Sequence, residues 1–86
     1  MTVATVAAPG DPVETRLATR AIVGWPGPCY LRLGKASEPV VHQTPPAFSI
    51  GKAIVVRDVS DVTLVATGGI LYNTMQAAEH VAQQGI

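Results

Sequence analysis

The stretch Pro39–Gly51 (PVVHQTPPAFSIG) divides the chain, because three of its seven prolines, Pro39, Pro45 and Pro46, fall within it. Proline lacks the N–H that a helix interior or a central strand requires, so neither element can run through. The stretch reads as a linker, and each flank carries strand-like apolar runs and a capped helix. The fold class this predicts is α/β, in two partial units, β-α-β and then β-β-α, joined by a Pro-rich linker and each incomplete.

The first unit begins with Val3–Ala8 (VATVAA), a short apolar run ended by the turn pair Pro9-Gly10. Asp11 then stands as a helix N-cap, Pro12 takes the first helical position where its missing N–H costs nothing, and Glu14 completes a capping-box-like arrangement. The spacing predicts a helix over 12–23, with Val13, Leu17 and Ala21 on one stripe and Gly24 as a left-handed C-terminal residue. After the turn Trp25-Pro26-Gly27-Pro28, Cys29–Leu33 reads as a second strand, parallel to the first. Two parallel strands under one helix leave a sheet face and two edges open, whereas parallel sheets are ordinarily covered on both faces.

In the second unit Ala53–Arg57 and Val62–Thr67 are strand-like, and the four residues between them, Asp58–Asp61, are too few for a parallel crossover. If these runs pair, they pair antiparallel. Thr67-Gly68-Gly69 leads into a helix over about 70–84 with Leu71, Met75, Ala78 and Ala82 on one stripe, closed by Gly85. A strand–glycine–helix order asks for a further parallel strand, and only Ile86 follows. The 48% apolar content fits strands meant to be buried on both faces.

Six Lys plus Arg balance six Asp plus Glu, and the basic residues are scattered, so the electrostatic footprint of nucleic-acid binding is missing. The lone Cys29 can form no disulfide within the chain, which fits a reducing compartment, with cytoplasm the default. The longest apolar runs have four residues, against about 20 needed to cross a bilayer, so no membrane partner is expected.

The run Pro9-Gly10-Asp11-Pro12-Val13-Glu14-Thr15-Arg16, then Gly27-Pro28-Cys29-Tyr30-Leu31-Arg32-Leu33, then Ile50-Gly51-Lys52-Ala53, then Asp61-Val62-Thr63-Leu64-Val65-Ala66-Thr67-Gly68, followed by Leu71-Tyr72 and Ala77-Ala78-Glu79, resembles the transketolase-like, thiamine-diphosphate-dependent enzymes. Within that family it is most similar to the separate C-terminal subunit of transketolase. The resemblance implies that residues 1–36 end a pyrimidine-binding domain, 37–50 form an interdomain linker and 51–86 begin the C-terminal domain. It implies a fragment of an enzyme that transfers a two-carbon ketol unit between sugar phosphates, using thiamine diphosphate and a divalent cation such as Mg. The family's catalytic glutamate lies upstream of the matching segment and its Gly-Asp-Gly metal motif lies in another domain. By this resemblance the chain alone binds no cofactor and does not catalyse, and its partners are the remaining domains or a companion subunit, in a homo- or hetero-oligomer. The alternative is a small non-enzymatic assembly module that pairs its exposed strand edges with a partner subunit.

Arg32, at the end of a parallel strand, is the position where open α/β sheets contact ligands. In the synthase branch of the family a matching arginine lies near the substrate phosphate, and Lys35 is a second basic position; a surface ion pair is the alternative for both. Thr67-Gly68-Gly69 could present N–H groups to an anion, although a tight turn needing small residues is the better account. His42 and His80 have no second His, Cys or paired carboxylate at ligand spacing and are expected in solvent. Cys29 is expected to behave as a small apolar residue and Trp25 to pack on the first helix end or on a neighbouring subunit.

Overall fold

The computed structural model describes residues 4–35, 38–58 and 61–86. In chain order these form β1 (Thr5–Ala7), α1 (Pro12–Val23), β2 (Cys29–Leu31), a 3-10 turn at Gly68–Ile70 and α2 (Leu71–Ala82). The strands pair in parallel, with Thr5 opposite Cys29, Val6 opposite Tyr30 and Ala7 opposite Leu31. The Thr5 N–H donates to the Pro28 carbonyl and the Arg32 N–H to the Ala7 carbonyl, each at 2.9 Å. The strand–helix–strand unit expected of the first half is present.

Its strands are shorter than the sequence pattern. Val3 lies outside the described residues. Ala8 leaves the ladder because its carbonyl accepts instead from the Gly68 N–H at 3.1 Å, which ties the start of the 3-10 turn to the end of β1. Beyond the Arg32 N–H bond to Ala7, Arg32 and Leu33 run past the last residue of β1, with no strand opposite them among the described residues.

The second half departs further from expectation. Neither Ala53–Arg57 nor Val62–Thr67 forms a ladder among the described residues, and Val59 and Ser60, between the two runs, lie outside them. An isolated two-stranded ribbon is marginal in water, since burial of a whole sheet face is what stabilises strand pairing. The α/β class stands on the parallel pair and the two helices.

Helix ends follow the local chemistry. α1 starts at Pro12 behind an extended Asp11 (φ −154°, ψ 175°) that accepts from the Glu14 N–H. Gly24 ends it at φ −96°, so the left-handed cap expected there is absent, and the Trp25 N–H closes on the Ile22 carbonyl instead. α2 begins one residue later than the pattern suggested, because Gly68–Ile70 wind as a 3-10 turn. At its far end Gly85 is left-handed (φ 84°), and the N–H groups of Gly85 and Ile86 donate to Ala82 and Val81, the double bond of a Schellman cap.

Packing is sparse. Ala18 is the only fully buried apolar residue among those described, and Asp11 is the largest fully buried side chain. The chain exposes 6481 Å², against about 4,800 Å² for a self-contained globule of its mass. The halves meet where Leu71 lies over Gly10.

A Cβ on Gly10 would come 2.6 Å from Leu71 Cδ2 and 2.8 Å from Leu71 Cβ. The first contact yields to a rotamer change, but the second does not, because Cβ is fixed to the α2 backbone. Gly10→Ala should therefore cost about 1–3 kcal/mol in urea unfolding followed by circular dichroism. Gly24→Ala, with nothing within 4 Å of its new Cβ, should be neutral or stabilise by a few tenths to about 1 kcal/mol. Equal effects of the two substitutions would contradict this account of the packing.

Candidate functional site

The buried polar centre is built on the N-terminus of α1. The first amides of a helix lack carbonyl partners within it, and Asp11 meets that need at one edge of its carboxylate: Oδ1 accepts from the Glu14 N–H at 2.8 Å. The other edge faces the linker, where Oδ2 accepts from the N–H groups of Val41 at 2.8 Å and His42 at 2.9 Å. One carboxylate thus joins a helix start to a chain segment about thirty residues away in sequence.

Glu14 extends the centre. Its Oε1 accepts from the Gly10 N–H at 2.8 Å, one residue beyond the cap amide that a capping box ordinarily engages, and its Oε2 lies 2.5 Å from His42 Nε2. The expectation of a solvent-exposed His42 is therefore wrong, for the residue is only 8% exposed. A polar ring is tolerated there because Glu14 is its partner and Asp11 holds its backbone. His80, by contrast, is exposed on α2, as expected.

Burial raises the proton affinity of the Asp11 carboxyl, but the N–H donors of Glu14, His42 and Val41, helped by the attraction of His42, outweigh it and hold the group below the ordinary carboxylate range. Its anionic form is the bonded form.

The donor atoms of Asp11, Glu14 and His42 all lie within 4.8 Å of one another, the spacing of a cation cage. The bonding argues otherwise. Both Asp11 oxygens already accept backbone N–H groups, and each Glu14 oxygen has its own partner. A cation sharing these oxygens would compete with the bonds to buried N–H donors, each costing about 1–3 kcal/mol if lost. The arrangement is a clamp on the backbone.

Asp11, Pro12 and Thr15 also wall a hollow of about 270 Å³ with Leu33, Gly34, Lys35 and Glu38. Lys35 borders it, whereas Arg32 does not, its exposed side chain lying outside the lining. Of the two basic candidates only Lys35 lines the hollow. Trp25 meets the first-half strand, donating from Nε1 to Thr5 Oγ1 at 3.0 Å, and Cys29 is half-buried at the start of β2.

A second concavity, an apolar groove of about 630 Å³, runs between the Val6–Gly10 stretch, the Leu71, Met75 and Ala78 face of α2, and the unpaired runs that include Val55 and Leu64. Val55 is 77% exposed and Val65 is 91% exposed. Arg57 crosses to Glu79 of α2 at 2.9 Å, an exposed ion pair of small energetic weight.

Asp11, Glu14 and Lys35 were visible in the sequence as cap, capping partner and basic position, but the seating of His42 was not. Only the apolar pair Val40-Val41 before it hinted that this part of the linker had something to bury.

Compared with known proteins, residues 51–86 match the family described as transketolase, C-terminal domain. Over 79 residues the chain is 34% identical to one of the subunits of the apulose-4-phosphate transketolase of Phocaeicola vulgatus, covering 91% of this chain and 25% of that protein. It is 37% identical over 82 residues to a 6-deoxy-6-sulfo-D-fructose transketolase subunit of a Clostridium species, covering 95% and 26%. It is 36% identical over 84 residues to transketolase-like protein 2 of Homo sapiens, covering 95% and 13%. The chain thus spans about a quarter or less of these relatives. No solved structure matches it.

Because the Asp11 carboxyl is held low, its contribution to stability is complete above the ordinary carboxylate range and is lost as pH falls through that range towards its depressed folded value. The urea midpoint should stay level near neutrality and descend below about pH 4. Asp11→Asn should flatten that descent. An acid limb as steep in the variant as in the parent would remove Asp11 from this role.

Proposed function

Since this chain belongs to the transketolase family, we propose that it is part of an enzyme that transfers a two-carbon ketol unit between sugar phosphates, contributing scaffold and interdomain linker without catalysing alone. The carrying observation is the likeness over more than nine-tenths of the chain to transketolase subunits of which it spans about a quarter. In this reading residues 1–36 close a pyrimidine-binding domain, 37–50 link, and 51–86 open the C-terminal domain; the match starting at residue 51 supports that boundary. The apolar groove and its unpaired flanking runs are the face against which further sheet would lie.

Thiamine diphosphate and a divalent cation belong to the complete enzyme, and the residues here do not fit them. The Asp11, Glu14 and His42 donors are committed to N–H groups and to one another, and the large groove is walled chiefly by apolar side chains rather than by a diphosphate cradle. Lys35, on the wall of the small hollow, is the better placed of the two candidate phosphate contacts, with Arg32 outside it.

A non-enzymatic assembly module is the second reading, favoured by the exposed apolar residues of Val62–Val65 and Val55-Val56. In either case the partner is the rest of such an enzyme, as a continuous domain or a companion subunit; two of the matched relatives are themselves described as subunits.

The test supplies thiamine diphosphate, Mg²⁺ and sugar phosphates to the chain by itself and together with polypeptide carrying the remaining transketolase domains. Turnover should require both polypeptides, and in the mixture Lys35→Ala should raise KM for the phosphorylated sugar about tenfold with little change in kcat. Turnover by the isolated chain overturns the scaffold role. Tight association without turnover in the mixture favours the assembly module.

A further inference from the structure

The interactions at residues 8–14 converge in a way that neither helix capping nor family membership requires. Asp11 splits its carboxylate between α1 and the linker. Glu14 divides between the Gly10 amide and the His42 ring. On the other side of the same short stretch, Leu71 lies over Gly10 and the Gly68 N–H donates to Ala8. The strap that leaves the first half and the helix that returns from the second half are therefore fastened to the same few residues.

We propose that Asp11, Glu14 and His42 form a detachable latch that holds the linker strap against α1 and thereby sets where the second half docks, independently of their service to the helix start. Two of the bonds involved, Oδ1 to the Glu14 N–H and Oε1 to the Gly10 N–H, belong to the first half alone. The bonds to Val41 and His42 belong to the strap. Opening the latch breaks only the second set, so α1 stays wound while the strap swings free and the grip of Ala8 and Gly10 on the second half slackens.

Asn at position 11 separates the two sets. Asparagine caps helices about as well as aspartate, so its oxygen stays on the Glu14 N–H, and its NH₂ group is then turned towards two N–H donors that it cannot accept from. In hydrogen exchange on the full 86-residue chain, Asp11→Asn should speed exchange at the Val41 and His42 amides at least tenfold and at Gly68 several-fold, with the α1 amides changing less than threefold. His42→Ala leaves the cap untouched and should speed the same strap amides several-fold, again sparing α1. Strap amides unchanged in both variants, α1 amides loosened as much as the strap, or a Gly68 amide indifferent to strap release would each overturn the latch.

Discussion

A single carboxylate that accepts three backbone N–H groups governs this structure. Burying a charge is expensive unless it is bonded on every side, and Asp11 meets that condition with one amide from its own helix and two from the linker. The lowered proton affinity and the placement of residues 41–42 are two expressions of the same bonds. They also explain how an almost fully buried acid can sit at the heart of a chain whose apolar core contains, among the described residues, one fully buried alanine. Specific polar fastening here stands in for a hydrophobic interior.

The parts not fastened in this way remain open. Backbone groups in the runs 53–57 and 62–67 make no ladder among the described residues, and their β-branched side chains face the groove or solvent. Surface in excess of a self-contained globule amounts to roughly 1,700 Å², well above the ~800 Å² that each partner buries in a standard protein interface. Part of that surface is apolar, with Val55, Val62, Leu64 and Val65 among the exposed side chains, and exposed apolar residues grouped in this way are characteristic of surface intended for contact.

What the sequence revealed and what it withheld divide along the range of the interactions. Pro12, Asp11 and Glu14 act within one helical turn, so the start of α1 could be read directly, as could its span; Gly85 likewise acts on the turn it closes. The parallel pairing of β1 and β2 followed from one helix-length crossover. The strand-like runs of the second half form no ladder among the described residues, because β-branched, apolar runs record a preference for a half-buried pleated surface and not the presence of one. His42 was misjudged for a similar reason: its environment is made by Glu14, twenty-eight positions away, and the local pattern around a histidine between prolines carries no trace of that contact.

The same distinction separates the polar clamp from the hollow and the groove. A ligand site tolerates little error in geometry, and here the carboxylates of the clamp are already engaged by backbone N–H groups and by His42. Spare capacity lies instead at Lys35 on the rim of the small hollow and along the apolar groove, both of which are open on one side. Fixed polar bonds thus hold residues 41–42 to the first half, while apolar surface in the second half is left unfilled, because only the former have partners within reach among the described residues.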